Sequence, residues 1–278
     1  VEFRSQKDIV DEMKALNKVG VKNFRLGKQS CLYSYKKTAD ELGKLFSGIK
    51  KNVKYDVLHI DNANPVQVTE EKTKLIVQNC TPGNIAAFGV ESFDPEVGKK
   101  NNLNATAEQV FEAVKIINKY GAKRGANGMP LFLPGINLLF GLIGESKETH
   151  SYNMEWLKKI LDEDLLLRRI NVREVVVFPG TKMEAIGSKF LKKNKKYYYS
   201  WRDEIRQKID WPMLKKVVPE GTVLKKLRME VHDGNTTFGR QTGTYPLIVG
   251  VKKKVDLNKV VDVKIKSHML RSIVGEII

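Results

Sequence analysis

Along the first 180 residues of the chain, helical and strand-like periods alternate. Over residues 5–20 the apolar Ile9, Val10, Met13 and Leu16 fall on one helical face, with Ser5 placed to cap and Asp8 completing an S-x-x-D box. "VKNFRLG" then reads as a strand, residues 38–46 return to helical spacing, and "YDVLHID" is a second strand. Thr69, with Glu70 and Glu71, opens a helix that precedes the strand "NIAAFGVES", and Asp94-Pro95 opens a short one after it. Thr106 and Gln109 box the start of a long helix that stops at Tyr120-Gly121, where glycine supplies a left-handed cap. "GINLLFGL" is a strand, Ser146 caps a helix running to Asp162, and "INVREVVVF" closes the series before Pro179-Gly180-Thr181.

Several of these strands are continuously apolar. Together with the alternation, that predicts a parallel sheet with helices over its outer face. The series opens on a helix, and a crossover helix with no preceding strand leaves one sheet position empty. A strand and its loop are therefore expected upstream of Val1. After Met183 the alternation stops. Residues 184–218 are rich in lysine and aromatics, with helical stretches, and read as a basic helical linker or covering segment. From Gly221 four or five short β runs with glycine breaks predict a small barrel of the oligonucleotide-binding kind. The expected units are 1–183, 184–218 and 219–278.

Composition narrows the function. The formal net charge is +17, and "KFLKKNKKYYYSWR", "VLKKLRMEV" and "VGVKKKVDLNK" concentrate the excess beside aromatics. Such clustering points to a polyanion, nucleic acid first, with a solvated surface as the plainer alternative. No apolar run approaches the roughly 20 residues of a membrane helix. Two cysteines, Cys31 and Cys80, form no disulfide framework or metal-type spacing, and suit a reducing, cytoplasmic setting. The serine-elbow, H-E-x-x-H and P-loop motifs are all absent.

Candidate chemistry gathers at strand ends, where parallel sheets bind ligands. Glu91 and Ser92 end the strand before Asp94-Pro95, with Ser92 also readable as a helix cap. Arg25, Gln29 and Ser30 follow the first visible strand, and His59, Asp61, Asn62 and Asn64 the next. His59 and Asp61, at i and i+2, share a face as an acid–base pair, or the histidine is a satisfied core residue. The long connection "KRGANGMPLFLPG" adds Arg124 and Asn127 as substrate candidates. In the basic tail Lys225, Lys226 and Arg228 are expected to contact phosphates, and Arg240 and Tyr245 to lie on an RNA-facing loop.

"RSQKDIVDEMKAL", "FRLGKQS", "FGVESFDPEVGKKNN", "INLLFGLIGES" and "VFPGT" resemble, in order, the later segments of radical SAM enzymes. They are most similar to the branch of methylthiotransferases and elongator-type enzymes. The tail from "VLKKLRMEVHDGNTTFGRQTGTYPLIVGV" onward resembles a TRAM domain, a small RNA-binding barrel. The resemblance implies an α/β fold: a partial (β/α)6 barrel missing its first strand, followed by an all-β OB/TRAM-like barrel. It also implies S-adenosylmethionine and a [4Fe–4S] cluster as cofactors. The cluster's three cysteines are expected upstream of Val1, and without them the chain alone is expected to be inactive. Glu91, Ser92 and Gln29 would meet the cofactor's ribose or methionine part, and Leu139, Phe140, Gly141, Val177 and Phe178 its adenine. Many relatives carry an acidic residue where Asn137 stands, so acid–base roles do not transfer to it. The implied activity is reductive cleavage of S-adenosylmethionine to a 5′-deoxyadenosyl radical, acting on RNA (tRNA) recruited by the basic barrel. The rivals are a methylthiotransferase with a further cluster domain, a non-catalytic basic RNA-binding protein, and a metal-free barrel enzyme.

Overall fold

In a computed structural model, residues 2–27, 31–181 and 183–278 are described. Side-chain caps set the helix starts where the sequence places them. The Ser5 hydroxyl accepts from the Asp8 N–H at 3.1 Å to begin α1 (Gln6–Lys18). Thr38 caps α2 (Ala39–Asn52) and Thr69 caps α3 (Glu70–Asn79) in the same way. Asp94 accepts from the Glu96 and Val97 N–H groups to start α4 (Pro95–Asn101). Both halves of the Thr106/Gln109 box form at α5 (Ala107–Gly121), and α6 (Lys147–Asp162) follows Ser146.

Between these helices run β1 (Asn23–Leu26), β2 (Val57–Ile60), β3 (Asn62–Ala63), β4 (Asn84–Glu91), β5 (Phe132–Phe140) and β6 (Arg169–Glu174). β1 pairs with β2, and β3, β4, β5 and β6 pair in that order, all parallel. β2 and β3 are one segment that changes partner at Asp61, whose carbonyl accepts from the Ala87 N–H at 3.0 Å. Five strand positions result, as the alternation predicts, and no strand lies beyond β1 among the described residues.

Two expectations need correction. Gly121 is not a left-handed cap: α5 runs through it and ends on Ala122 in right-handed geometry. A Cβ at Gly121 would stand 1.9 Å from the Phe132 carbonyl oxygen, so glycine there permits contact between α5 and β5. The last strand ends at Glu174 rather than Phe178. Beyond it the chain leaves the sheet, and Val176 and Phe178 are exposed.

Residues 184–218 form α7 (Lys189–Ile205), one π-helical stretch (Arg206–Asp210) and α8 (Trp211–Val217). Ile205, Ile209, Met213 and Val217 are fully buried, so this segment covers the barrel instead of linking two bodies. The tail forms β7 (Val223–Asp233), β8 (Thr236–Gln241), β9 (Val249–Val251), β10 (Val260–His268) and β11 (Ile273–Ile277). They close as β10–β11–β9–β8–β7, with β9 and β11 parallel, which is the connectivity of a five-stranded Greek-key barrel. A single apolar cluster runs from Val10 and Phe46 through Phe88 and Ile136 to Leu227 and Ile273, so the two folds share one core. Among the described residues no helix is long and apolar enough to cross a membrane.

Candidate functional site

Strand register builds the site. Ala87, Gly135 and Arg169 align across β4, β5 and β6, and so do Gly89, Asn137 and Asn171 one rung higher. At the top, a bulge between Gly89 and Glu91 brings Glu91 opposite Leu138, and Leu139 pairs with Arg173. Ile136, Leu138 and Phe140 are buried under helices, whereas Asn137 and Leu139 are half-buried and Gly89 is exposed. Alternation therefore turns the rungs of small and polar residues to the face that helices leave open.

Glu91 carries the clearest signature. Its φ is +64°, unfavourable for a residue with a Cβ, and such strain persists where surroundings impose it. Its carboxylate folds back so that a Cβ on Gly89 would lie 3.0 Å from Oε1. Burial raises its pKa, and the nearby Arg173 guanidinium opposes that rise. Ser92 is buried, and its hydroxyl accepts from the Asp94 N–H at 3.1 Å, bracing the turn ahead of the Asp94 cap. Asn171 Nδ2 donates to Asn137 Oδ1 at 3.2 Å, so each asparagine orients the other.

The lower rung is roofed by the connection between β8 and β9. Its Tyr245 donates its hydroxyl to Asp61 Oδ1 at 3.2 Å, and its ring lies 4.2 Å from the Arg169 guanidinium carbon. The Arg168 Nη2 donates to the Tyr245 carbonyl at 2.5 Å. Gly135 is small for a reason here, since a Cβ would meet Arg169 Cγ at 3.0 Å. The Thr244 N–H donates to His59 Nδ1 at 3.0 Å, which makes Nδ1 the acceptor and puts the ring proton on Nε2. Burial holds His59 neutral, pulling its pKa down to about 4. Asp61 also faces Arg25, Nε to Oδ2 at 3.8 Å.

Glu91, Asn62, Leu139, Asp61 and His59 thus lie on the connected strands the sequence indicated, although His59 and Asp61 each pair with the tail instead of forming an acid–base dyad. Gln29, with Ser30, lies outside the described residues. Phe140 is one residue out of phase: its ring packs against Tyr198 and Trp201, with centroids 5.2 and 5.4 Å apart, on the helix side. Gly141 has its N–H taken by Glu145 Oε2 at 2.8 Å, and its φ of +92° lets Leu191 approach. Val177 is half-buried and Phe178 exposed, both beyond the end of β6. Arg124 and Asn127 precede β5, at the end of the sheet opposite Glu91. Arg124 donates to the carbonyls of Gly128 and Val217, and Asn127 Nδ2 to that of Pro82, so both join parts of the chain. Tyr245 faces the sheet and not an open RNA surface.

Lys225, Lys226, Arg228 and Arg240 remain on the barrel surface. Arg228 and Arg240 are register partners on β7 and β8, bonded respectively to Asn258 and Glu230. Glu145, a carboxyl with 2 % exposure held by the Gly141 N–H and Asn194 Nδ2, carries no signal in the sequence pattern. Burial raises its pKa to about 7. Arg169, Asn171 and Arg173 also lie outside the sequence expectations, although their two-residue spacing along β6 is a signal.

An uncharacterized protein of Methanocaldococcus jannaschii is 46% identical to the chain, covering 99% of it and 54% of the relative. One of Archaeoglobus fulgidus is 42% identical, covering 98% and 54%. The chain thus spans about half the length of the curated relatives it matches. The solved coproporphyrinogen III oxidase (HemN) of Escherichia coli, a radical SAM enzyme, aligns over 87% of the chain and 62% of its own, with a TM-score of 0.46 and 11% identity. The radical SAM superfamily profile matches residues 1–139. With that match over half its length, the chain belongs to the radical SAM superfamily, whose cofactors are S-adenosylmethionine and a [4Fe–4S] cluster.

Proposed function

We propose that this chain is the part of a radical SAM enzyme that binds S-adenosylmethionine, and that the enzyme cleaves it to a 5′-deoxyadenosyl radical to modify an RNA substrate. The observation that carries the reading is Glu91, strained at a bulge and half-buried above Gly89, with Asn137, Asn171 and Arg173 on adjacent strands. A carboxylate accepts hydrogen bonds from both ribose hydroxyls or from an amino group, the asparagines both donate and accept, and Arg173 suits a carboxylate. Leu139 offers the half-buried apolar surface an adenine needs. These residues fit S-adenosylmethionine.

They do not fit the cluster. Cys31 is buried with its Sγ accepting from the Asn64 N–H at 3.1 Å, burial pushes the Cys80 thiol up, and among the described residues no three potential ligands converge. The cluster's ligands are assigned to other residues of the enzyme. RNA is supported by the net charge of +17 and by the Arg228–Arg240 pair on a TRAM-like barrel.

The test is equilibrium binding of S-adenosylmethionine to the protein and to Glu91→Gln, followed under anaerobic reducing conditions by assay for 5′-deoxyadenosine. Saturable binding weakened about tenfold in Glu91→Gln, the loss of one charge-assisted contact, is expected. Absence of saturable binding together with retained RNA affinity would leave the non-catalytic RNA-binding protein as the function.

A further inference from the structure

A cleft of about 410 Å³ opens where the sheet, the π-helical stretch and the five-stranded barrel meet. Arg168 and Arg169 enter it from the start of β6, Asp210 from the π-helical stretch, Tyr245 from the β8–β9 connection, and Arg271 from the turn between β10 and β11. Arg240 also lines it, but that side chain is bonded to Glu230. Three guanidinium groups therefore face a single carboxylate, a surplus of two positive charges.

Such a surplus is costly to keep dry. Arg169 is half-buried, and its guanidinium lies over the Tyr245 ring, a weak substitute for an anion. Burial pulls the Arg169 pKa down and Arg173 and Arg271 add to the fall, against Tyr245 and Asp210, so the one carboxylate of the cleft is shared among several guanidinium groups. Arg271 is exposed and has no ion pair or hydrogen bond among the described residues. Arg168 spends one nitrogen on the Tyr245 carbonyl, which holds its fork in the cleft wall. Leu247 and Leu270 supply an apolar side.

We propose that this cleft binds a phosphate ester, since a monoester dianion or two successive diester groups match the surplus charge and the fork geometry of arginine, with the apolar wall taking the body that carries them. Phosphate and guanidinium pair bidentately, which favours this anion over a chloride or a lone carboxylate. Arg169, Asn171 and Arg173 share one face of β6, and four residues of strand span about 13 Å. An ester anchored at Arg169 thus directs its far end along β6 toward Glu91, a placement that rests on the cofactor reading above. The anion site itself does not rest on it.

The experiment needs no S-adenosylmethionine, so it fails or succeeds apart from that reading. At fixed ionic strength, uridine 5′-monophosphate, uridine, inorganic phosphate and a single-stranded RNA dodecamer are titrated into the protein. The same probes are titrated into Arg271→Gln, Arg169→Lys, Arg169→Gln and the surface control Lys51→Gln, an exposed residue of α2. The phosphate-bearing probes should saturate while uridine does not, with affinity about tenfold lower in Arg271→Gln and Arg169→Gln. Lys51→Gln should be unchanged, and Arg169→Lys should fall between wild type and Arg169→Gln. Because Arg271 is exposed, its variant should melt with the wild type, which separates lost binding from lost fold. Monophosphate binding equal to that of RNA identifies a small phosphorylated ligand. RNA binding at least tenfold tighter, and still dependent on Arg271, identifies the RNA backbone. No saturation by any phosphate-bearing probe, or affinities that neither arginine variant changes, overturns the proposal.

Discussion

The sheet is closed on its two faces by segments that differ in kind. On the helix side, α7 lays Tyr198 and Trp201 against Phe140, and Trp201 stacks on His150 with centroids 5.1 Å apart. On the open side, the β8–β9 connection brings Thr244 and Tyr245 to His59, Asp61, Arg168 and Arg169. The first closure is largely aromatic, with one buried carboxyl, Glu145. The second is largely polar, and each contact crosses between the two folds. Apolar burial is non-directional and holds a scaffold; hydrogen-bonded charges fix where a ligand's own charges must go. The polar closure borders the rungs beneath Glu91, so the five-stranded barrel is part of the site's wall and more than a tethered recruiter.

The largest effect should come from two glycines, one where the barrel meets the loop before β5 and one where α7 meets the sheet. At Gly128, φ is +89° and a Cβ would stand 2.0 Å from the Val223 carbonyl oxygen. Backbone must yield there, and Gly128→Ala should cost about 4 kcal/mol from overpacking plus strain. At Gly141 the obstacles are side chains, with Leu191 Cβ at 2.7 Å and Val175 Cγ1 at 2.8 Å. Gly141→Ala carries similar strain, since φ is +92° there, but should cost less, about 3 kcal/mol, because the side-chain neighbours can shift part of the way. Urea unfolding of both variants checks the order. A smaller loss at Gly128 would mean that the barrel is held loosely where β7 begins.

Next in size is a pair of opposed pH dependences. The His59 pKa falls from 6.5 to about 4 on folding, so the unfolded chain takes up the proton first. Its contribution is complete above pH 6.5 and is lost as pH falls toward 4. The Glu145 pKa rises from 4.5 to about 7, so its contribution is complete below pH 4.5 and is lost as pH rises toward 7. Between pH 5 and 7 each amounts to about 2 kcal/mol, with opposite sign, and the wild type should be nearly flat. In His59→Gln stability should fall by that amount from pH 5 to 7, and in Glu145→Gln it should rise. Parallel profiles for the two variants would show that neither group is held as the geometry indicates.

The same contrast explains what the sequence revealed. Caps at Ser5, Thr38, Thr69, Asp94 and Thr106 are local, so their spacing announces them, and the helix–strand alternation places Glu91 and Asp61 at the carboxyl ends of strands. Errors arose where a residue's role depends on something distant. Gly121 answers to the Phe132 carbonyl, Arg124 to Val217, and Phe140 to α7, none of them a sequence neighbour. Arg124 also shows a topological slip: a loop leading into a strand lies at the opposite end of the sheet from one leaving it. Tyr245 looked like a loop aromatic because nothing within ten residues reports Asp61 or Arg169.

The smallest effect tests whether the polar closure depends on the Tyr245 hydroxyl or on the backbone around it. Tyr245→Phe removes the 3.2 Å bond to Asp61 but keeps the ring over Arg169 and the carbonyl that Arg168 holds. Asp61 retains Arg25 at 3.8 Å and is close enough to solvent to be rehydrated, so about 1 kcal/mol of stability should be lost. The measurement is urea unfolding at pH 7, where His59 and its Thr244 contact are unaffected. A loss near that value assigns most of the closure to the main-chain contacts of Thr244 and Tyr245, which any loop of this shape would make. A loss of 3 kcal/mol or more would make the hydroxyl–Asp61 pair the latch, because only a bond shielded from water is worth so much, and the barrel's hold on the sheet would then depend on one phenol.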